Sequence, residues 1–483
     1  MSNKNVKPKA NKFYITAAIP YVNADPHIGH ALEFVQTDTI ARYHRLLGKD
    51  VKATSGGDEN ALKNVQAAEA AGVPLQNFID TNTEKFRQLA TSLDVCFDVW
   101  QKGSDKKHHY PASQKFWKLC DDNGDIYKKK YVGLYCVGCE VFYSPKELDE
   151  NNECREHPGK KLQEVSEENY FFKLSKYENT LIKLIENDEL LIIPENRKKE
   201  TLSFIKSGLQ DISISRTNER AKNWGVPVPN DPDQRIYVWF EALNIYQSGI
   251  GFGWDDKNYE HYWPADVHVI GKGILRFHAI YWPAFLLSAK LETPRAIFVH
   301  DYFTVNGQKM SKTLGNVVNP MDLVEKYGKD VLRYYFLAKF SPFTDGDFSE
   351  DKLKTAYNSD LANGIGNLIA RVAKLCETSD GNFNIHNNQI LNSEVEKHLK
   401  EFRFDYALGK IWELIAETDK YLHTNKPWEK KGEEQIEILQ KAVNNIREIS
   451  FNLKPFLPST ANHIEKQFSE GKIVSEQPLF PRI

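Results

Sequence analysis

The sequence predicts an α/β protein with a doubly wound, Rossmann-like parallel sheet, an inserted domain and an all-α bundle at its carboxyl end. Three observations lead to this fold class. Short apolar runs alternate with segments of helical periodicity in the first part of the chain, which is typical of a parallel sheet covered by helices. A cysteine cluster interrupts that alternation, and after about Glu350 leucine, isoleucine and alanine recur at helical spacing to about Phe468.

The first strand, loop and helix occupy the amino-terminal region. Residues 13–18 are typical of a buried strand, residues 20–26 form a turn rich in Pro, Asn and Asp, and helical periodicity begins near His27. Residues 51–54 predict a second strand. Later strands are predicted at 235–240, 267–270 and 296–299. Ligands of doubly wound sheets bind at the carboxyl ends of the strands, so the functional residues are expected in the loops there.

Composition limits the class of protein. A chain of 483 residues exceeds what one hydrophobic core usually serves, so several domains are expected. The net charge of -3 excludes a global basic footprint, and nucleic-acid contacts would have to use local patches. The polar, lysine-rich residues 1–12 predict neither a signal peptide nor an anchor, and the longest apolar run, 279–289, is shorter than the about 20 residues of a bilayer span. A cytoplasmic protein is expected.

The cysteine cluster has the spacing of a metal site. Cys136 and Cys139 form one short pair, and Cys154 and His157 form a second pair, with fourteen residues between them. Four soft or borderline ligands suit tetrahedral Zn²⁺ and leave no position for a water nucleophile, so one structural zinc ion is predicted; buried free cysteines are the alternative. Three isolated cysteines are expected to be ordinary buried thiols: Cys96, Cys120 and Cys376.

Two separate motifs predict a nucleotide site. His27 and His30 lie three residues apart at a predicted helix start, where they share one side, and Gly29 between them lets a flat ligand approach the backbone. Far downstream, Lys309 and Lys312 lie in a glycine-flanked stretch, where two ammonium groups could follow a triphosphate as it reorganises. Taken singly, the histidines could be surface residues and the lysines a solvated face.

Together, in this order, the two motifs resemble the paired signature of the class I aminoacyl-tRNA synthetases. The resemblance implies ATP binding with Mg²⁺ and attack of an amino-acid carboxylate on the α-phosphate. It also implies catalytic roles for His27, His30, Lys309 and Lys312: the histidines donate hydrogen bonds to developing phosphate charge, and Lys312 neutralises the departing pyrophosphate. Catalysis would then rest on positioning and electrostatics.

Longer segments are similar to the methionyl-tRNA synthetases in particular, over residues 13–483. They are residues 17–23, 237–240, 268–272, 274–278 and 345–349. The resemblance implies that the chain activates L-methionine and transfers it to elongator and initiator methionine tRNA. It implies a methionine site made of Ala18, Ile19, Tyr21, Asp58, Trp239, Ala242, Tyr246, Ile274 and His278. It implies an ATP site made of His27, Gly29, His30, Glu33, Gly271, Lys272 and Lys312, with Arg216 near the site.

The chain departs from the common family pattern at a few positions. Asn60 and Ala61 stand where many members have His-Gly, Glu241 replaces an aspartate and Gly273 stands where an aspartate often follows Gly-Lys. Thr313 replaces a serine and is a trivial change. Asn60 and Gly273 remove groups near the amino acid and the ribose, so affinity for either ligand could differ from that of relatives.

The helical carboxyl-terminal region resembles the anticodon-binding bundle of the family. The predicted anticodon contacts are Asn363, Asn367, Arg371 and Trp428. The first three share one helix face, and an exposed Trp in a loop is a stacking platform for an unstacked base. A solvated helix surface and an interhelical plug are the structural alternatives. The end of the chain soon after Phe480 lacks the appended tRNA-binding barrel of some relatives, so a monomer is expected.

The resemblance also divides the chain into domains. The first and second halves of the catalytic domain are 1–114 and 224–290, the inserted connective domain is 115–223, the lysine-loop region is 291–350 and the anticodon-binding domain is 351–483.

Two other functions stay open. A related class I enzyme such as the cysteine-specific one also carries zinc, and a non-catalytic tRNA-binding paralogue could retain the fold.

Overall fold

The structure is a computed structural model, and it describes most of the chain. The described residues are 11–138, 141–143, 148–154, 159, 161–310, 315–379, 381–384 and 390–483, with backbone alone at 141 and 309. The chain forms two compact units. The first contains Met1–Pro26, Gly48–Gln88 and Cys96–His300, and the second contains His27–Leu47, Leu89–Val95 and Asp301–Ile483. Cys139, His157, Lys312 and Thr313 lie outside the described residues, as does the side chain of Lys309.

The strands are short, and most belong to the first unit. They are β1 (Lys12–Ala17), β2 (Asp50–Gly57), β3 (Val99–Lys102), β4 (Ile126–Cys136), β5 (Val141–Tyr143), β6 (Gln163–Phe172), β7 (Leu191–Ile193), β8 (Ile212–Ser213), β9 (Ser215–Thr217), β10 (Pro227–Val228), β11 (Asp231–Ile236), β12 (Val267–Gly271), β13 (Ala296–His300), β14 (Phe303–Val305), β15 (Gln308–Lys309) and β16 (Gly346–Phe348).

Helices fill most of the remaining described chain. They are α1 (Ile28–Leu46), α2 (Leu62–Ala71), α3 (Leu75–Ser92), α4 (His109–Asp122), α5 (Glu178–Glu186), α6 (Glu195–Lys206), α7 (Val238–Leu243), α8 (Ile245–Ser248), α9 (Asp256–Tyr262), α10 (Trp282–Ser288), α11 (Pro320–Tyr327), α12 (Lys329–Ala338), α13 (Glu350–Ala356), α14 (Asn367–Thr378), α15 (Ser393–Lys400), α16 (Phe404–Asn425), α17 (Gly432–Leu453) and α18 (Pro458–Gln467). Wider π-helical turns occupy Phe277–Tyr281 and Tyr357–Gly366.

A six-stranded parallel sheet forms the centre of the first unit. Its order is β3-β2-β1-β12-β13-β7, and every neighbouring pair in it is parallel. All six residues of β1 are buried, as expected for a strand covered on both faces. The parallel α/β core that the sequence predicts is therefore confirmed, and the predicted strands at 13–18, 51–54, 267–270 and 296–299 correspond to β1, β2, β12 and β13.

The predicted strand at 235–240 is wrong over its second half. Strand β11 ends at Ile236, pairs antiparallel with β9 and β10, and is followed by helix α7. Every residue of α7 is buried. A short apolar run that is buried all round has no polar side to reveal its period, so a strand and a helix cannot be told apart from the sequence there.

A smaller antiparallel sheet, in the order β5-β4-β6-β8, lies within the predicted insertion. Strand β7 also lies within residues 115–223, yet it pairs with β13 at the edge of the parallel sheet. The three isolated cysteines differ in burial. Cys120 and Cys376 are buried, as predicted. The prediction for Cys96 is wrong, because this residue is exposed.

The second unit consists mainly of packed helices. Arg333 on α12 and Asp38 on α1 form an ion pair of 2.8 Å between two fully buried side chains. Arg333 also donates hydrogen bonds to the carbonyl oxygens of Leu93, Pro455 and Phe456. A buried charge is tolerated only when it is paired and hydrogen-bonded, so this arginine ties three parts of the unit together. Within the described ranges, no helix has the length and apolar character needed to cross a bilayer.

Candidate active site

His27 and His30 are brought together at the start of α1. Their rings stack with centroids 3.9 Å apart. His27 is the residue that caps the helix, and its Nδ1 accepts the backbone N–H of Gly29 at 3.1 Å, while Nδ1 of His30 accepts the backbone N–H of His27 at 3.2 Å. A Cβ at position 29 would lie 2.9 Å from the His27 ring, so this close approach requires a glycine.

These two bonds determine which ring nitrogens carry protons. Nδ1 accepts a backbone N–H in both rings, and a neutral imidazole whose Nδ1 accepts a hydrogen bond carries its proton on Nε2. In this tautomer the ring N–H donor of each histidine is at Nε2. The first turn of α1 contains no acidic side chain that would compete for an anion at the positive end of the helix. Two aligned donors at a helix amino terminus are suited to hold phosphate oxygens.

The segment that carries Lys309 is a β-hairpin anchored by a carboxylate. Strands β14 and β15 are joined by Asn306 and Gly307, whose φ angles of 51° and 76° belong to a tight two-residue turn. Asp347 Oδ1 accepts the backbone N–H of Gly307 at 2.6 Å and the hydroxyl of Thr304 at 2.8 Å. The Gly307 hydrogen bond is the largest cause that lowers the pKa of Asp347 to about 2. The anchor is therefore ionised at neutral pH.

The chain returns from this hairpin to the histidine pair. The backbone N–H of Ile28 donates to the carbonyl oxygen of Val318 at 3.2 Å. Val318 lies a few residues beyond the predicted lysine loop, and Ile28 follows His27 directly. The second unit thus joins the two motifs that the sequence analysis paired.

The predicted methionine-binding residues converge in the first unit. Seven of them lie in or against one hydrophobic cluster: Ala18, Ile19, Tyr21, Trp239, Ala242, Tyr246 and Ile274. The Trp239 ring is central. Tyr21 meets it edge-on at 6.1 Å, His278 meets it edge-on at 6.3 Å and Phe277 stacks on it at 3.7 Å. Phe277 lies within a segment that supported the family resemblance, but sequence reasoning gave it no role of its own.

A hydrogen-bonded polar group closes this aromatic cluster. The Tyr246 hydroxyl lies 2.8 Å from Nε2 of His278, and Nδ1 of His278 lies 3.0 Å from the carbonyl oxygen of Ile274. A carbonyl only accepts, so Nδ1 carries the proton and Nε2 accepts the hydroxyl. Burial lowers the pKa of His278 to about 4, and the ring is neutral at physiological pH. An uncharged floor of this kind suits an apolar, polarizable side chain.

Asp58 follows directly on the carboxyl end of β2, where ligands of parallel sheets bind. It is buried, its backbone N–H donates to the carbonyl oxygen of Pro20 at 2.9 Å, and it forms a parallel bridge with Tyr21. The bridge places the Asp58 backbone beside that of Tyr21, one of the residues packed against the aromatic cluster. Gly271 ends β12 and Lys272 begins the following helical turn at the same edge of the sheet, whereas Glu33 is a buried residue of α1 in the second unit.

Two of the departures from the family pattern, Asn60 and Glu241, have defined hydrogen-bond partners. The Asn60 amide donates to the carbonyl oxygen of Gly103 at 2.7 Å and accepts the Tyr110 hydroxyl at 3.2 Å. Glu241 Oε2 lies 2.6 Å from His109 Nε2, and both side chains are fully buried. Burial lowers the pKa of His109 to about 4, so the neutral ring donates to the carboxylate. Both substituted residues are therefore integrated into the packing around the site.

Two of the four predicted metal ligands are described. Cys136 ends β4, opposite Val141 of β5, and Cys154 lies in the following loop with its sulfur 3.5 Å from the Tyr143 hydroxyl. Both thiols are buried. Cys139 falls in the connection between β4 and β5, and His157 follows Cys154, but both are outside the described residues. Among the residues that are described, no group of three or more His, Cys, Asp or Glu side chains is placed to hold a metal ion.

The predicted anticodon residues differ in their contacts with other side chains and in their exposure to solvent. Arg371 on α14 forms an ion pair with Asp419 and hydrogen-bonds His423 at 3.2 Å. The side-chain amide oxygen of Asn363 accepts hydrogen bonds from Nε and Nη2 of Arg482. Asn367 begins α14. Trp428, after the αL residue Lys426, is 45% exposed, which is unusual for so large an aromatic side chain.

Comparison with known proteins agrees with this architecture. The family model described as tRNA synthetases class I (M) matches residues 13–373. The methionine–tRNA ligase of Thermotoga maritima is 40% identical over 97% of this chain and 77% of its own length, and that of Brucella suis is 38% identical over 98% of both. A structure of Mycobacterium tuberculosis methionyl-tRNA synthetase in complex with methionyl-adenylate is 35% identical, with a TM-score of 0.90 over 98% of this chain and 100% of that one.

Proposed function

The chain belongs to the methionyl-tRNA synthetase family of class I tRNA synthetases, and we propose that its two histidines, its lysine loop and its aromatic cluster carry out methionine activation. The enzyme is an aminoacyl-tRNA ligase that couples L-methionine to ATP, forms methionyl-adenylate and pyrophosphate, and passes methionine to its tRNA. The observation that carries the assignment of roles is the stacked pair of His27 and His30, in which Nδ1 of each ring accepts a backbone N–H and Nε2 of the neutral ring is the donor.

In the activation step a carboxylate oxygen of methionine attacks the α-phosphorus of ATP, and the bond to the β-phosphate oxygen breaks. Negative charge spreads over the phosphate oxygens, and His27 and His30 stabilise it by hydrogen bonds that need no rearrangement of the protein. Lys309 and Lys312 neutralise the departing pyrophosphate. ATP arrives with Mg²⁺, and Gly29, Glu33, Gly271 and Lys272 bind the nucleotide.

Methionine is held by its two ends. The Asp58 carboxylate pairs with the α-ammonium group, and the thioether lies among the aromatic rings around Trp239, where sulfur and aromatic groups attract. The Tyr246 hydroxyl and Nε2 of His278 are hydrogen-bonded to each other beside the Trp239 ring. Discrimination against a side chain shorter by one methylene is worth only about 1–3 kcal/mol, so pocket shape has to supply it.

The inserted segment holds a structural zinc ion through Cys136, Cys139, Cys154 and His157. Burial of the two described thiols and the hairpin between Cys136 and Val141 support this part of the proposal, because a short pair of ligands at a hairpin end is the usual form of a zinc knuckle. The ion would cross-link residues 136–157, and it has no role in the chemical steps.

The helical region from 351 to 483 recognises methionine tRNA, both elongator and initiator. Trp428 provides a stacking surface for an anticodon base, and Asn363, Asn367 and Arg371 contact base edges or phosphates nearby. The enzyme acts as a cytoplasmic monomer and, as a class I enzyme, loads the 2′-hydroxyl of the terminal adenosine.

Pyrophosphate exchange with the purified protein against each of the twenty amino acids tests the proposal. Exchange with methionine alone, lost in a His30→Ala variant, is the expected result. Exchange with cysteine instead would contradict the assignment of the pocket. Absence of exchange with every amino acid would show that the histidine pair does not carry the activation step in this protein.

A further inference from the structure

Three arginines surround one small cavity in the first unit. The cavity has a volume of about 30 Å³, and its lining includes Arg216, Arg220 and Arg235 together with Asn60, Trp224 and Tyr237. Arg216 and Arg220 both face the ring of Tyr135, with guanidinium carbons 5.3 and 4.2 Å from its centroid. All of these groups belong to the same compact unit.

Arg216 and Arg235 are direct cross-strand partners. In the antiparallel pairing of β9 with β11, Arg216 lies opposite Arg235. Like charges directly opposite each other destabilise a β-sheet, and Arg220 adds a third cation to the same cavity. Within the described part of the chain, Glu167 is the one carboxylate within 4 Å of these arginines, at 3.6 Å from Arg220. Counted over the described residues, these three arginines and Glu167 carry a net charge of +2.

The arginines are also incompletely hydrogen-bonded. Arg216 is only 7% exposed and donates through Nη1 to Ser213 and Ser215, and Arg235 donates through Nη1 to two backbone carbonyls. The Nε atoms of all three arginines are buried, and among the described residues none of them has a hydrogen-bond acceptor. A buried donor without a partner costs about 1–3 kcal/mol, and an acceptor bound among these three arginines would offset part of that cost.

We propose that this cavity, which we call the arginine pocket, binds a single phosphate group. The planar guanidinium fork matches the geometry of phosphate oxygens, and one bound phosphate supplies acceptors and negative charge at once. A space of about 30 Å³ holds roughly two water-sized atoms, so it takes two phosphate oxygens and leaves the rest of the ligand outside. Pyrophosphate is too large for it.

Two sources can supply such a group. One is a backbone phosphodiester of the single-stranded 3′ end of tRNA. This first source rests on the proposed function. The other is inorganic phosphate. The side chains of Trp224, Tyr135 and Tyr237 line the same cavity, and such aromatic surfaces are common where single-stranded nucleic acid passes a protein.

Thermal unfolding tests the pocket without reference to activity. The wild type, Arg220→Gln, Arg235→Gln and the control Arg87→Gln are compared in potassium phosphate and in potassium chloride of equal ionic strength. An unreactive methionyl-adenylate analogue is present throughout to fill the nucleotide site. Arg87 is suited as control because its side chain is 55% exposed. We expect phosphate to raise the melting temperature of the wild type and of Arg87→Gln above the value in chloride, and this gain to fall by at least half in the two pocket variants.

Aminoacylation at several salt concentrations distinguishes the two sources. If the pocket holds a tRNA phosphodiester, Arg220→Gln and Arg235→Gln raise the KM for tRNA and reduce the slope of log KM against log salt by about 0.7, the contribution of one single-strand phosphate. An unchanged KM for tRNA together with a lost phosphate gain assigns the pocket to inorganic phosphate. Equal melting temperatures in phosphate and chloride for the wild type, or a full phosphate gain in both variants, would overturn the proposal. Pyrophosphate exchange, measured in parallel, reports failure of the proposed function separately.

Discussion

The carboxylate of Asp347 accepts the backbone N–H of Gly307 at 2.6 Å, across forty residues of sequence. The bond closes the turn of the hairpin that carries Lys309, and strand β16, which contains Asp347, pairs in parallel with β14. A residue distant in sequence from both signature motifs thus holds one of them in place. Asp347 is a positioning residue, since its role is exerted through the hairpin.

Replacing this anchor should slow activation without changing the affinity for methionine. We expect Asp347→Ala to lower the kcat of methionine-dependent pyrophosphate exchange by about tenfold, because a catalytic group that is no longer held loses part of its orientation. The KM for methionine should stay within twofold, since the aromatic cluster is unaltered. Asp351→Ala, a nearby exposed acidic residue, is the matched control. Equal kcat in the two variants would contradict a positioning role.

Two substitutions of His27 separate its structural role from its catalytic one. Asparagine is a good helix cap, so His27→Asn should keep the bond to the Gly29 N–H and retain the wild-type melting temperature. His27→Ala should destabilise the protein by about 1 kcal/mol, the usual cost of a lost cap. Both should reduce the kcat of pyrophosphate exchange about 100-fold through loss of the Nε2–H donor. An active asparagine variant would show that this donor is dispensable.

Buried neutral histidines should make the protein less stable in mild acid. Burial lowers the pKa of His109 and of His278 from 6.5 to about 4. Between pH 6.5 and 4 these histidines are protonated in the unfolded chain but not in the folded protein. Their full contribution to the free energy of unfolding is therefore present above pH 6.5, and it is lost as the pH decreases toward 4. Each histidine should contribute about 1.4 kcal/mol per pH unit in that window. Urea unfolding at pH 7.5, 6.0 and 5.0 measures it, and His109→Gln should show a shallower pH dependence than the wild type.

Zinc content distinguishes the predicted ligands from other buried thiols. Metal analysis of the purified protein should find one zinc per chain, and Cys154→Ala should lose it and unfold at a lower temperature. Cys376→Ala is the control, because this thiol is equally buried but lies in α14. Chelation should destabilise the wild type and leave Cys154→Ala unaffected. Full zinc content in Cys154→Ala would remove Cys154 from the ligand set.

Trp428 should contribute to tRNA recognition and not to activation. Loss of base stacking is worth about 1–3 kcal/mol, so Trp428→Ala should lower kcat/KM for tRNA aminoacylation by roughly 5- to 150-fold with normal pyrophosphate exchange. Trp254→Ala is a suitable control, since Trp254 is 46% exposed but lies in the first unit. A similar loss in both variants would mean that the effect comes from removing an exposed aromatic residue of any kind.

Much of the site could be predicted from the sequence where the chemistry is local. His27 and His30 are three residues apart on one helix, so their shared face follows from helical geometry, and the structure brings their rings into contact. The spacing within each cysteine pair is also local, and the zinc site that it predicts stays a prediction. Four strands of the parallel sheet, β1, β2, β12 and β13, are recognisable in the sequence as short apolar runs, whereas β3 and β7 are not predicted.

The sequence by itself determined which residue types are available, where the first helix and four strands of the parallel sheet begin, and which family the motifs resemble. Only the tertiary structure decided that residues 238–243 form a helix, that Asp347 holds the Gly307 turn and that Arg216 lies opposite Arg235. The physical reason is the same in each case. Periodicity reports contacts within one element, whereas these arrangements depend on the register between strands and on packing between segments far apart in the chain.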